Sequence, residues 1–377
     1  MRPGQGLPVE QIEVVGAGVA GLAVALALTR AGHRVRVFEQ ATGLNEVGAG
    51  LQISPNGAAV LTALGLGGDL AGMAQPAQAV ELRRAASARL VLRMRLGPGF
   101  WLVHRADLIA SLAVAARAAG VEIVFDHRIE AALPVLPESG APESGALQLG
   151  ADGLHSVVRG WLNGPEQPFF TGQVAWRALV PGDGGPAVAQ VFMGPGRHLV
   201  SYPVRHGTMR NIVAIEERAA WVAEDWSGPG DAAGLRAAFA GFGGPVPLWL
   251  EQINEVKVWG LFRHDVARLW TAEGMAILGD GAHPTLPFLA QGANMALEDA
   301  WVLARCLSNG GLATYQALRE ARVRRVVAAA TANARAYHLR GPIGLAAHMG
   351  LWAVAAMAPG LMLRRFDWLY RHDVTLR

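Results

Sequence analysis

The chain alternates between short apolar runs that read as buried strands and longer apolar patterns of helical period. Residues 11–15 read as a buried strand, 19–31 as an Ala/Leu-rich helix and 34–38 as a second strand that ends at Glu39. Residues 100–104 predict another strand, and Arg105 opens a helix with Leu108, Leu112 and Ala115 on one face. A third strand, 275–278, leads through an irregular loop into a helix whose apolar positions are Met295, Leu297, Trp301, Val302 and Leu303. Residues 190–193, 198–202, 210–215 and 255–259 are strand-like runs punctuated by Gly and Pro.

Two of the connections are built for ligands. Gly16-Ala17-Gly18-Val19-Ala20-Gly21 joins the first strand to its helix as a GxGxxG: the first glycine permits a tight turn, the second lets a pyrophosphate reach the backbone, and the third lets helix pack on strand. Glu39 stands at the spacing of a carboxylate that accepts hydrogen bonds from an adenosine ribose. No second GxGxxG follows, so one nucleotide fold is present, and spacing alone leaves NAD and FAD both open. In the loop after residue 278, Pro284 and Pro287 remove donors, Gly279, Gly281 and Gly292 permit close backbone approach, and Asp280 sits at the strand end. Gly292, Ala293 and Asn294 open the next helix, whose free N–H groups and positive dipole end favour an anionic or electron-withdrawing group.

Composition narrows the setting. At 377 residues and 52% apolar content, two cores are the expectation. The single cysteine, Cys306, excludes an internal disulfide and a cysteine-based metal cluster, and no metal is expected. The first ten residues lack a signal-peptide core, which fits a cytoplasmic, reducing setting. Lys257 is the sole lysine; the basic balance comes from scattered arginines, as in Arg83-Arg84, Arg324-Arg325 and Arg364-Arg365, which suit solvated faces better than nucleic acid.

Four stretches stand in one order: the glycine fingerprint, the helix opened by Arg105, Asp152-Gly153 within the segment 150–159, and Gly279-Asp280. Together with segments 48–56, 176–181, 197–203 and 366–370, they resemble the single-component, FAD-dependent aromatic hydroxylases, nearest the salicylate hydroxylase-like branch. The resemblance implies an α/β fold in which a Rossmann-like FAD-binding domain (1–73, 100–165, 262–340) interleaves with an antiparallel-sheet substrate domain (74–99, 166–261), followed by a C-terminal helical segment (341–377). It places Gly16, Gly18 and Gly21 along the FAD pyrophosphate, Glu39 at the ribose, Arg105 near the ribityl-diphosphate, and Asp280 on the ribityl chain. Asp152 would support the cofactor cleft, and Gly292, Ala293 and Asn294 would face the flavin pyrimidine.

The implied activity is an NADH- or NADPH-dependent monooxygenase that uses O2, through a flavin C4a-hydroperoxide, on a small hydroxybenzoate, salicylate or hydroxypyridine-type ring. Tyr202, His198 and the Pro287 carbonyl are the catalytic candidates; His206 is a further one, and His283 is expected to shape its loop. One departure is the tandem Pro-Glu-Ser-Gly-Ala of residues 137–146, which argues for a flexible loop where the family has a strand meander. A halogenase lacks its signature here; a flavin-dependent reductase of prenyl or quinone-like substrates and a non-catalytic flavin-binding protein stay open as alternatives. Residues 343–363 are apolar but interrupted by His348, Gly350, Pro359 and Gly360, so helices packed on the FAD domain are expected rather than membrane contact. Trp352 and Trp368 equally suit a homodimer face.

Overall fold

The computed structural model describes residues 11–44, 50–130, 146–221, 230–309, 311–357 and 360–376. Residues 48 and 49 of the glycine-rich segment and 137–145 of the tandem repeat lie outside them. The strands are β1 Ile12–Val15, β2 Val35–Phe38, β3 Gly50–Ile53, β4 Gln75–Pro76, β5 Ala79–Arg84, β6 Leu90–Arg95, β7 Trp101–His104, β8 Glu122–Val124, β9 Leu147–Gly150, β10 Phe169–Pro181, β11 Val188–Gly194, β12 Arg197–Val204, β13 Met209–Glu217, β14 Lys257–Arg263, β15 Thr271–Ala272 and β16 Met275–Ile277. The helices are α1 Val19–Arg30, α2 Pro55–Ala63, α3 Gly67–Met73, α4 Arg105–Ala119, α5 Val157–Asn163, α6 Ala232–Ala238, α7 Val246–Glu251, α8 Gly292–Asn309, α9 Leu312–Tyr337, α10 Gly341–Met357, α11 Leu361–Arg364 and α12 Asp367–Tyr370.

The first sheet runs β15-β16-β9-β1-β2-β8 and is parallel except at β15, which pairs antiparallel with β16. Its central strand is β1, in register Ile12 to Val35 on one side and Ile12 to Leu147 on the other. Strands buried on both faces need apolar residues in succession, which Val14-Val15 and Val37-Phe38 supply. Helix α1 is apolar nearly all round, because α4 and α8 flank it as well as the sheet.

The second sheet runs β14-β10-β13-β12-β11-β5-β6. It is antiparallel save for one parallel pair, β5 with β11, which brings in a segment from before β7. Alternation along its strands gives it two apolar faces. Val174, Trp176, Leu199 and Ile212 face outward under α6 and α7, against Leu235, Phe239 and Trp249. Ala175, Val213, Ile215, Trp259 and Leu261 face inward, against Leu286 and Phe288 of the loop before α8 and Ala334 of α9. A short third sheet, β3-β7-β4, lies between the two larger ones.

The tail departs from expectation. Helix α10 packs on β6 and not on the FAD-binding sheet, because β6 is an edge strand whose Val91 and Leu92 need cover; Leu351 and Met362 supply part of it. The chain turns back at α12, where Arg322 donates to the Trp368 and Leu369 carbonyls, and Val374 then joins the core beside α8. Among the described residues no helix is long and apolar enough to cross a membrane.

Candidate active site

The glycine loop is shaped by contact as well as by turn geometry. Gly16 has φ +101°, and a Cβ at Gly21 would stand 1.9 Å from the Gly16 carbonyl oxygen, so both positions exclude a side chain. A Cβ at Gly18 would meet nothing within 4 Å, which leaves open space at the N-terminus of α1. That is the fit a pyrophosphate requires. Glu39 is fixed beside the loop, accepting from the Ala17 amide at 2.8 Å and the Ala41 amide at 2.9 Å. Asp152 accepts from the Ser156 hydroxyl and from the Val157 amide at 2.7 Å, so its carboxylate caps α5. Burial raises its pKa and these bonds oppose the rise. A Cβ at Gly16 would strike the Ala151 carbonyl, so the Asp-Gly segment holds the glycine loop from below.

Asp280 is accessible from the cleft although protein surrounds it on the other sides; that burial raises its carboxyl pKa, against the pull of His283 and Arg105. Twelve residues on, the chain enters a dense polar network at the start of α8. Asn294 accepts from the Ser54 amide at 2.9 Å and donates to the Gln52 and Ala290 carbonyls at 3.0 and 2.8 Å. Gln291 donates to the Ser54 hydroxyl at 3.0 Å, and Asn56 donates to Glu298 at 2.6 Å. Arg319 of α9 then donates to Glu298 at 2.6 Å and to Asp299 at 2.8 Å, and Arg322 adds two bonds to Glu298. His283 meets Asp299 at 2.5 Å, which is the loop-shaping role expected of it. Burial would raise the Asp299 pKa, but the charges of His283 and Arg319 outweigh it and hold it at about 2.

The network fixes where the helix points. Met295 N–H bonds to the Gln291 carbonyl at 2.8 Å, and the amides of Gly292, Ala293 and Asn294 precede it. Gly292 and Ala293 stay partly accessible, so the positive end of α8 faces the cleft. Glu298, Asp299, Arg319 and Asn56 escaped the sequence reading. A signal existed: Met295, Val302, Leu303 and Cys306 put Glu298 and Asp299 on the buried stripe of α8, and buried acids demand cations.

The opposite wall is the inward face of the second sheet. Tyr202 is buried there, with β3 laid on it so closely that a Cβ at Gly50 would stand 2.4 Å from its ring. Burial keeps its phenol protonated. His198 is buried rather than surface-lying, stacked near Phe288 and Tyr337. Its Nδ1 lies 2.7 Å from Nε2 of His338, whose Nδ1 lies 2.9 Å from Glu217. With Glu217 ionised, His338 donates from Nδ1 and accepts at Nε2, so His198 donates from Nδ1 and its Nε2 carries the lone pair. Burial lowers the pKa of both histidines, keeping the pair neutral. His206, by contrast, is exposed and bonds the Gly72 carbonyl. Pro287 is exposed on the loop, and its carbonyl accepts from the Ala290 amide at 3.3 Å.

Comparison with known proteins adds to this geometry. Residues 9–330 match the family described as FAD binding domain. The chain is 36% identical to a 3-amino-4-hydroxybenzoate 2-monooxygenase of Streptomyces platensis, over 87% of this chain and 89% of the relative. It is 32% identical to a salicylate hydroxylase of Pseudomonas putida, over 97% and 93%. The solved structure of Klebsiella pneumoniae HpxO with FAD and uric acid superposes with a TM-score of 0.78 at 27% identity, covering 91% of this chain and 93% of that one.

Proposed function

Because the chain belongs to the FAD-binding-domain family and is a FAD-dependent monooxygenase of the aromatic hydroxylase type, we propose that it hydroxylates a small electron-rich aromatic ring of the hydroxybenzoate, salicylate or hydroxypyridine type, with O2 and NADH or NADPH as co-substrates. The observation that carries this reading is the aim of α8: a helix end held by a buried polar network, with Leu286 and Phe288 of the loop before it packed on the inward face of the second sheet.

Bound FAD supplies the redox and oxygen chemistry; the residues of this chain bind, orient and exclude water. Gly16, Gly18 and Gly21 leave the pyrophosphate its space, Glu39 receives the ribose, and Arg105 and Asp280 take the ribityl-diphosphate stretch. The amides of Gly292, Ala293 and Asn294 stabilise negative charge at the pyrimidine edge. Leu286, Phe288 and Trp259 keep the interface between loop and sheet dry. His198 Nε2 accepts the proton of one ring hydroxyl, and the Pro287 carbonyl accepts a hydrogen bond from a second O–H or N–H of the ring. His338 and Glu217 hold that histidine in the receptive tautomer.

The test is the purified protein itself. A yellow protein with stoichiometric FAD that consumes NADH or NADPH on addition of salicylate, hydroxybenzoates or hydroxynicotinates, and places one atom of 18O2 in the product, supports the reading. Colourless protein that refuses FAD, or flavin turnover with no labelled product from any ring, would falsify it.

A further inference from the structure

On the inward face of the second sheet, Arg177, Asn211 and Tyr202 form a polar patch in an otherwise apolar surface. Register places Asn211 directly opposite Tyr202 on one side and opposite Leu179 on the other, with Arg177 two residues before Leu179. Neighbours at that diagonal spacing share a face within reach of long side chains. Arg177 is half-buried, its guanidinium 5.1 Å from the centre of the Trp259 ring, and its Nε is buried without a hydrogen-bond partner. Among the described residues it has no carboxylate partner; burial lowers its pKa, Tyr202 opposes the shift, and Arg105, a second cation, adds to it.

Asn211 is fully buried and is held by one end only. Its Oδ1 accepts from the Gly50 amide at 2.9 Å, which fixes the amide plane and leaves Nδ2 a buried donor without a partner. Every group in the patch therefore offers a donor, guanidinium N–H, amide N–H and phenol O–H, while the phenol oxygen can also accept. The fully buried arginines are treated otherwise. Arg159 meets Glu166, Arg210 meets Asp183 at 2.7 Å, and Arg319 meets Glu298 and Asp299. A sheltered cation and amide without acceptors carry a desolvation cost that an acceptor-rich anion removes on arrival.

We propose that Arg177 and Asn211, with Tyr202, form an anion-binding subsite that receives the carboxylate of an aromatic acid, Arg177 acting as the residue that selects acids over neutral rings. The proposal rests on the hydroxylase reading for the ring, but the subsite is read by binding alone. Phosphate of the nicotinamide co-substrate offers the same acceptor chemistry, and the two sources separate in the experiment.

FAD-loaded enzyme is titrated with salicylate, 3-hydroxybenzoate and neutral salicylamide, followed by the flavin absorbance change. Wild type binds at least one of the acids roughly 10-fold or more tighter than the amide, and Arg177→Met weakens that acid roughly 10- to 100-fold while moving salicylamide less than about threefold. Should Arg177→Met fail to take up FAD, Asn211→Asp keeps the bond from Gly50, turns the free donor into an acceptor and removes the preference for acids. Equal affinity for acid and amide in wild type overturns the subsite, as does an Arg177→Met that loses the amide as much as the acid. Anaerobic titration with NADH gives the same Kd in wild type and Arg177→Met; weakened NADH with acid binding intact reassigns the guanidinium to the nucleotide and overturns it. Wild type that separates acid from amide but hydroxylates neither ends the hydroxylase reading and keeps the subsite; wild type that hydroxylates only neutral phenols, without that separation, does the reverse.

Discussion

At the start of α8, Arg319 reaches two carboxylates at 2.6 and 2.8 Å, whereas across the cleft Arg177 lies on an indole ring and reaches none. The same cation is a rivet in one wall and an open hand in the other. Glu298 has two arginines and Asn56 on its two oxygens, and Asp299 has Arg319, His283 and the Gly279 amide. Among the described residues only Arg319 Nη2 and His283 Nδ1 in this network lack a bond, and its product is position: α8 cannot rotate or slide without breaking several buried bonds together. The sheet wall leaves donors unmet, and that is the condition for recognising something that comes and goes.

Breaking the saturated wall has the largest expected effect. Arg319→Met takes the shared cation from two buried carboxylates and lowers stability by about 3 kcal/mol, with FAD lost alongside, as thermal unfolding and flavin release in one scan will record. Asn294→Ala removes bonds to Ser54, Gln52 and Ala290 and costs about 1–3 kcal/mol; urea unfolding measures it, and FAD affinity falls with it because the helix end is no longer tied to β3.

Acid sharpens the contrast next. The folded pKa of Asp299, about 2, lies below its ordinary value of 3.8, so its contribution is complete above the ordinary value and is lost as pH falls toward 2. Urea midpoints of wild type and Asp299→Asn should therefore differ most at neutral pH and converge at the acid end of that window. A gap that persisted unchanged through it would assign the loss to packing and not to charge.

Arg177→Met should run in the opposite direction. Removing a sheltered cation without an acid leaves stability equal or raises it by about 0.5–1 kcal/mol, measured as a urea midpoint on FAD-loaded protein. The smallest effect belongs to Glu217→Gln, at the outer end of the histidine chain and 38% exposed. It should lower kcat by roughly two- to tenfold and leave the Kd for substrate within error, because it disturbs the tautomer of His198 and not the pocket. A change in Kd without kcat would remove His198 from proton transfer.

The contrast also explains what could be seen in the sequence. Residues 11–39 were legible because strand, glycine turn and helix are consecutive, and each signal is local: Gly16, Gly18 and Gly21 announce one backbone shape wherever they stand before an apolar helix. The strands at 198–202 and 210–215 fell inside β12 and β13 for the same reason. Glu298 and Arg319 were not legible as a pair, since each reads as an ordinary charged helix residue and only the packing of α9 on α8 joins them. Nothing local to His198 marks it as one end of a buried chain, because its partner is 140 residues away. Arg177 falls within the family-like segment 176–181, and nothing local marks it as unpaired, because lacking a partner is a property of the finished fold. Helix α10 was misplaced because apolar residues declare that they need cover without declaring which surface provides it.

The order of the first sheet has a further consequence, for synthesis. Its middle strand, β1, leaves the ribosome first, yet one neighbour, β9, is made more than a hundred residues later, and β16, which flanks β9, later still. Helix α8, which packs on α1 and α2, follows both. A nascent chain therefore carries β1 and its glycine turn without β9 while more than a hundred residues are added, and at about 5–20 residues per second that is an interval of seconds before the sheet can close around them. Two halves of the gene expressed apart would have to meet before either acquired colour.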